Sequence, residues 1–365
     1  MLTRVSIENY RGFKTFRMDG LARVNLLVGK NNSGKTAILE GIQFLTSKGD
    51  PAVLAEAAER RGEVVVTQPE QSVSVDIAHF FHGHAIGPDA SFSFTGDNGY
   101  APVAVKALVP KEGRVEREDA EARRAPAGLA IKITSQSRPE RKEPLFPLSR
   151  EGGVELELPS RFREFPSGRR SRASQTRFIG PDSLSSRDMA VMWDELTLSG
   201  QESDVASALR VLDDDLESLH FLTGVLASGY LPSRGGIVVG LRGRETRVPL
   251  GSMGDGMRRL IALAASLAFA KEGCLFVDEI DTGLHYSVMP DMWKLVIAKA
   301  IASDAQVFAT THSWDCIEGL SMLCQREPDL LKQVAIHKID RALPNSVGFS
   351  GESLVRMIKG DIDPR

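Results

Sequence analysis

Cysteine is scarce: Cys274, Cys316 and Cys324 are the whole complement of this 365-residue chain. They are too few and too scattered for a disulfide framework or a zinc site, and Cys274 sits inside an apolar, strand-like run, so reduced thiols are expected. Long hydrophobic runs are missing too. No apolar stretch approaches the ~18 residues that a membrane span needs, and no basic-then-apolar leader opens the chain, which points to a cytoplasmic protein without membrane contact. There is no excess of positive charge. A formal net charge of −3 excludes a protein that coats nucleic acid by bulk charge and leaves room only for a local basic patch. No internal repeat and no heptad run of coiled-coil length occurs. What remains, 42% hydrophobic and 25% charged, suits a globular chain of one large or two smaller domains with a sizeable core.

The most informative stretch is Gly29-Lys30-Asn31-Asn32-Ser33-Gly34-Lys35-Thr36, set between the apolar run Val24–Val28 and the helical-looking run Ala37–Leu45. A Gly-x-x-x-x-Gly-Lys-Thr loop between a strand and a helix is a phosphate cradle. Its glycines let backbone amides turn inward around α- and β-phosphates, Lys35 can reach the β- and γ-oxygens, and the Thr36 hydroxyl can take a place on Mg²⁺.

Around this loop the chain opens with a strand-like Leu2–Tyr10, a turn or bulge at Arg11–Lys14 and a second short strand. After the loop, Ile38, Leu39, Ile42, Phe44 and Leu45 form one helical face, Lys48-Gly49-Asp50-Pro51 ends it, and a second helix runs to about Arg61. Short β-rich runs follow, among them Val73–Phe81, Ser91–Thr95, Val103–Val109 and Leu129–Ile133, and read as an antiparallel sheet beside the nucleotide site. Lys111–Ala127 and Ser135–Pro147 read as surface loops. Arg161–Arg177 holds six arginines against the single acid Glu164. Such a run can neutralise nucleic-acid phosphates, or it can be a solvated loop or pair with acidic residues. From Asp182 to Leu226 the spacing is helical, with Met189, Met192, Trp193 and Leu196 on one face and Val205, Leu209, Leu212 and Leu216 on another. A hairpin over Gly236–Leu250 leads into Gly251-Ser252-Met253-Gly254-Asp255-Gly256, which opens another helix.

Three stretches belong with the loop. Cys274–Glu279 is an apolar strand ending in two carboxylates: Asp278 is placed to hold the shell of Mg²⁺, and Glu279 to orient and deprotonate an attacking water. Gln306–Ser313 is another apolar strand with a polar end, and as a parallel neighbour it would bring His312 near the γ-phosphate. The backbone amides after Ser252 and Gly254, with the Ser252 hydroxyl, form an anion site that the helix dipole favours.

Taken in order, the loop, Ser252–Gly256, Phe276–His285 and Thr310–Ser313 resemble the ABC-type ATPase heads of the OLD/RecF/SMC group, and most of all the AAA-family ATPases related to the ATPase part of OLD-family proteins. The opening Ile7-Glu8-Asn9-Tyr10-Arg11-Gly12-Phe13-Lys14 resembles the first strand of the same group. The resemblance implies an α/β P-loop NTPase of ABC-ATPase type, with a mixed central sheet, an antiparallel β subdomain and a helical lobe carrying the signature motif. One domain would span 1–365: residues 1–100 and 270–365 as the nucleotide-binding lobe, 101–180 as a β-rich region with a variable insertion, and 181–269 as the helical lobe. It also implies Mg²⁺-dependent ATP hydrolysis in a homodimer or higher homo-oligomer, where Ser252 and Gly254 complete the partner's ATP site and Asp281–His285 is the D-loop. Gly251 stands where the family carries leucine, and no Q-loop glutamine is assigned, Gln71 lying too early in its strand. Little sequence follows the helix expected at Glu352–Ile358, so an effector such as a TOPRIM-type nuclease, acting in antiviral defence, is expected as a separate chain. The alternative is a RecF/SMC-like DNA-repair ATPase with nucleic acid held through Arg161–Arg177. A transporter's nucleotide-binding subunit fits the opening strand and Thr310–Ser313 poorly.

Overall fold

The computed structural model describes residues 1–67, 72–109, 129–136, 145–148, 153–154, 176–184, 186–198, 200, 205, 209–210, 215–221, 237–244 and 246–365. The chain divides into two compact units. One comprises Met1–Gly20, Thr36–Ser174 and Asp340–Ser346, the other Leu21–Lys35, Gln175–Ile339 and Val347–Arg365.

In the first unit, Arg4–Tyr10 and Phe13–Asp19 form an antiparallel hairpin closed at Tyr10 and Phe13. Arg11, in its two-residue loop, takes φ 49°, a left-handed conformation that tight hairpin loops demand. The hairpin continues into a six-stranded antiparallel sheet through Ser91–Gly96, Val103–Leu108, Ala130–Ser135 and Leu145–Pro147. Tyr10, Phe80, Phe92, Phe94 and Phe44 cluster with ring centroids 4.9 to 6.2 Å apart. The helix Lys35–Thr46 lies against this cluster so closely that a Cβ on Gly41 would overlap the Phe94 ring. Beside it, buried Arg11 holds Glu63 through two hydrogen bonds of 2.7 and 3.0 Å and Glu40 at 3.0 Å, while Arg61 takes the other Glu40 oxygen at 2.8 Å. A buried cation is tolerated because it is paired and rests on the Phe80 ring, 4.4 Å from its centroid.

The second unit is built on a sheet in the order Thr176–Ile179, Cys274–Val277, Gln306–Thr311, Val24–Val28, Val334–Lys338, Val347–Ser350. The first five strands are parallel and the last is antiparallel. Every residue of Cys274–Val277, Gln306–Thr311 and Val24–Val28 is buried, the pattern of parallel strands covered on both faces. Phe178, Phe276 and Phe308 stack in register across three strands, with centroids 6.5 and 5.4 Å apart. Asn25, buried within its strand, is satisfied by Ala22 and Val307. Helices Asp255–Phe269, Met289–Ala302 and Trp314–Arg326 supply the apolar residues of a core that includes Leu263, Trp293 and Leu320. With the phosphate-loop sequence between the central strand Val24–Val28 and the helix Lys35–Thr46, this is the α/β architecture of a P-loop NTPase.

The units cut the chain differently from the lobes suggested by the sequence: Met1–Gly20 groups with the antiparallel strands, and the helix Asp255–Phe269 with the strand Val24–Val28. Two local expectations are corrected. Leu216 opens a strand, Leu216–Phe221, antiparallel to Ile237–Leu241. Leu216 stands four residues after Leu212 and so continues the spacing of Val205, Leu209 and Leu212, but it is the buried first residue of a strand that a bulge sets, with Glu217, against Leu241. Leu145–Pro147, expected in a loop, is the edge strand of the first sheet, where a proline costs no ladder hydrogen bond. Gln71, Lys111–Ala127, Leu212 and residues 161–175 lie outside the described residues. All three cysteines are buried free thiols, and burial pushes the Cys324 thiol up to about 11. Among the described residues no helix is long and apolar enough to cross a membrane.

Candidate functional site

Parallel strands end on one edge, and the crevice outside their carboxyl ends is where α/β sheets bind ligands. In the second unit that edge carries Gly29 after Val28, Asp278 after Val277, His312 after Thr311 and Gly180 after Ile179.

The loop bends through three positive φ values: 144° at Gly29, 60° at Asn32 and 96° at Gly34. Such a bend turns successive amides to one side, as an anion cradle requires. Gly29 has no alternative: a Cβ there would lie 2.5 Å from the Ile339 carbonyl oxygen, and the Ile339 amide is itself tied to Val28 at 2.8 Å. Asn31 and Asn32 are exposed, Ser33 is buried, and Thr36 follows Lys35 in the helix Lys35–Thr46. Lys35 Nζ donates to the carbonyls of Gly29 and Lys30, both at 2.8 Å. Burial holds its pKa below the ordinary lysine value, opposed by the charges of Asp278 and Glu279. The structure therefore brings Lys35 into the field of both candidate carboxylates.

Asp278 is buried and Glu279 partly exposed. The Thr310 hydroxyl donates to Asp278 Oδ1 at 2.5 Å and accepts from the Glu279 amide at 2.9 Å, so one side chain fixes both acids. Glu279 takes φ 48°. His312 is exposed, with Nδ1 3.7 Å from Glu279 Oε1. Next along the chain, Thr311 Oγ1 donates to Asp281 at 2.6 Å, tying the start of the expected D-loop to the same strand end.

From the helix side comes Arg259, 2% exposed, whose guanidinium donates to the carbonyls of Gly180 at 2.6 Å, Asp278 at 2.8 Å and Glu279 at 2.9 Å. Burial lowers its pKa to about 10, against the pull of Asp281, Asp278 and Glu279. Thr310 opens the stretch Thr310–Ser313 that the sequence sets beside the loop, but residue type alone gives it no role, and Arg259 is not among the residues that motif spacing singles out. A signal existed for Arg259: it stands four and eight residues before Leu263 and Leu267, a charge on the apolar face of its helix.

Ser252 lies in the short turn Leu250–Met253, exposed, and no side-chain hydrogen bond engages it among the described residues. Gly254 precedes the helix Asp255–Phe269 with φ 88°. Its next turn packs on the expected D-loop, where a Cβ at Gly256 would meet the Gly283 oxygen at 3.2 Å. No hydrogen bond joins Ser252 or Gly254 to the phosphate loop among the described residues. Of the basic run, Arg177 is described, and its guanidinium lies 3.7 Å from the Phe269 ring centroid.

Two family models match the chain. One, described as "AAA ATPase domain", covers residues 1–93; the other, described as "AAA domain, putative AbiEii toxin, Type IV TA system", covers residues 156–315. The chain is 22% identical over 363 residues to an "ATP/GTP phosphatase" of Helicobacter pylori, covering 92% of this chain and 91% of that protein. It is 48% identical over 46 residues to "DNA replication and repair protein RecF" of Acinetobacter baumannii, 13% of either chain. Solved structures similar to it include an SMC head bound to the C-winged helix domain of ScpA, at 12% identity and TM-score 0.48, covering 96% of this chain and 98% of that one. The SMC head domain from Thermotoga maritima follows at 12% identity and TM-score 0.44, with the same coverage. The first family match contains the phosphate loop, and the second contains Ser252, Gly254, Asp278, Glu279 and His312. The chain is an ATPase.

Proposed function

We propose that this ATPase is a nucleotide-operated switch of the OLD-like type, in which ATP binding closes a homodimer and hydrolysis by Glu279 opens it, under the control of a trigger and for the benefit of a separate effector. The observation that carries the reading is that the phosphate loop, the pair Asp278 and Glu279, and His312 all follow parallel strands at one sheet edge, with His312 Nδ1 3.7 Å from Glu279 Oε1.

Gly29, Asn31, Asn32, Ser33, Gly34, Lys35 and Thr36 would bind the phosphates through amides and the Lys35 ammonium. Glu279 would take the proton of a water whose oxygen bonds to the γ-phosphorus as the bond to the β-γ bridging oxygen breaks, and His312 would stabilise charge on the transferred group. A divalent ion fits the donor set. Asp278 and Thr36 each offer an oxygen ligand. Mg²⁺ needs few protein ligands, because it keeps waters and phosphate oxygens in its shell, and it would neutralise phosphate charge when bound. Ser252 and Gly254, on an exposed turn ahead of a helix start, would cap the γ-phosphate of a second subunit.

The type IV toxin–antitoxin wording of one family description supports a chain that acts with a second component, and a nuclease effector in antiviral defence is the reading the motif resemblance favours. The RecF match favours a second reading, a DNA-repair ATPase; hydrolysis stimulated by DNA would select it. The primary test is ATP binding and phosphate release by Lys35→Ala and Glu279→Gln. Lys35→Ala should lose binding, whereas Glu279→Gln should bind ATP and not turn over. Parental turnover in Glu279→Gln would remove the base assignment.

A further inference from the structure

We infer that Arg259 is a positioning residue for the candidate base: its guanidinium holds the main chain of Glu279 in a conformation the residue would not keep unaided. The inference rests on Glu279 being the base.

The starting observation is φ 48° at Glu279. Glutamate has a Cβ and no short side chain to stabilise the left-handed region, so this conformation costs free energy that the surroundings must offset. Here it is held from both sides. The amide is held by Thr310 Oγ1 at 2.9 Å, and the carbonyl by Arg259 Nη2 at 2.9 Å. The same nitrogen reaches the Asp278 carbonyl at 2.8 Å, while Nη1 reaches Gly180 at 2.6 Å, so the flanking residue and the neighbouring strand end are fixed too. Two adjacent carbonyls can accept from one nitrogen only when the chain between them is curled, and the left-handed turn at Glu279 supplies that curl.

The placement of the charge is informative as well. A cation buried to 2% exposure is ordinarily paired with a carboxylate. Arg259 instead spends its hydrogen bonds on three main-chain oxygens at the sheet edge, and its Nε has no hydrogen-bond partner among the described residues. A tie serving stability alone would be satisfied by an ordinary strand end. This one is matched to a strained residue, and release of the strain would rotate the Glu279 Cβ and move its carboxylate away from His312, now 3.7 Å distant. Arg259 thus acts on turnover through Glu279, without touching the nucleotide.

The experiment uses the full chain carrying Arg259→Met or Arg259→Lys, each alone and each combined with Glu279→Gln. ATP affinity is measured with a fluorescent ATP analogue in Mg²⁺, and turnover by phosphate release. Arg259→Met should lower kcat at least tenfold while leaving nucleotide affinity within threefold. Arg259→Lys, which keeps the charge and donors but not the planar fork, should fall between it and the parent. In the Glu279→Gln background, replacing Arg259 should leave the residual turnover unchanged, because a residue that works through the base has nothing left to position. Parental kcat in Arg259→Met, or the same fold loss in both backgrounds, overturns the inference. Should Arg259→Met fail to fold, Arg259→Lys carries the test alone: a kcat lowered at least threefold at unchanged affinity supports the role, and a parental kcat refutes it. Parental turnover in Glu279→Gln by itself would overturn the base reading and this inference with it, whereas a dead Glu279→Gln beside an unaffected Arg259→Met removes only the inference.

Discussion

Thr310→Val is the sharpest probe of how the two acids are held. Thr310 is fully buried, and its hydroxyl links Asp278 Oδ1 at 2.5 Å to the Glu279 amide at 2.9 Å. Valine keeps the shape and removes both bonds. A hydrogen bond to a charged group contributes about 1.5–3 kcal/mol, and a buried amide left without an acceptor costs about 1–3 kcal/mol. Glu279 is partly exposed, so water can recover some of this, and a net loss of about 2–4 kcal/mol is expected. Expressed wholly in the transition state, that is about 30- to 900-fold in kcat; expressed in stability, it shifts the urea midpoint with no change in slope. Both are measured on Thr310→Val, on Thr310→Ser, which retains the hydroxyl, and on the parent. The summed loss in Thr310→Val should reach at least 2 kcal/mol, with Thr310→Ser within threefold of the parent in kcat. If Thr310→Val kept parental turnover and stability, or Thr310→Ser were equally damaged, the hydroxyl would not be what holds the acids.

His337, 1% exposed, has its pKa drawn down by burial from 6.5 to about 4. Between these values the unfolded chain binds a proton that the folded chain does not, so stability is complete above pH 6.5 and falls toward pH 4, by about 3 kcal/mol; urea titrations of His337→Leu should show a flatter profile over that window. Arg11→Met should destabilise the first unit by about 3 kcal/mol, since buried Glu40 keeps Arg61 and a long bond from the Tyr10 hydroxyl but loses its buried cation, and Glu63 loses both its bonds to Arg11. Thermal melts read this, and an unchanged melting temperature would contradict it. Mixing Lys35→Ala with Ser252→Arg should restore part of the ATPase activity if sites are shared between subunits, because both lesions can then fall on one composite site. No recovery after proven subunit exchange would count against a shared site.

Much of the site is legible because a phosphate loop and a carboxylate pair identify themselves by residue type alone. Gly29, Gly34 and Lys35 stand where only these residues serve, and Asp278 and Glu279 follow four apolar residues as a strand end must present them. The hairpin at Arg11–Gly12 and the helix break at Lys48–Pro51 were equally readable, since turn and breaker chemistry is local. Leu216 was not, because it falls at helical spacing after Val205, Leu209 and Leu212 although it opens a strand. The supports of the site were hidden for a related reason. Thr310 matters through register: the strand Gln306–Thr311 must lie parallel to Cys274–Val277 before its hydroxyl can reach two residues more than thirty positions away. Arg259 matters through a helix packed over the strand ends.

A comparison of two glutamates shows why such supports mark function. Glu272 and Glu279 are seven residues apart and both left-handed, at φ 57° and 48°. Glu272 is exposed in the turn between a helix and a strand, and its amide bonds the Ser303 carbonyl at 2.8 Å. A turn of that kind is satisfied by any residue that bears the φ, and glycine would bear it best. Glu279 cannot be exchanged on those terms, because its side chain is aimed toward His312 and its main chain is gripped by a buried hydroxyl and a buried guanidinium from two other elements. Where local preference is overridden and neighbouring elements provide dedicated groups to hold the result, the conformation is a reason to propose a role for the side chain. On the proposed reading, the strain at Glu279 serves the chemistry of the site, whereas the strain at Glu272 belongs to the connection between a helix and a strand.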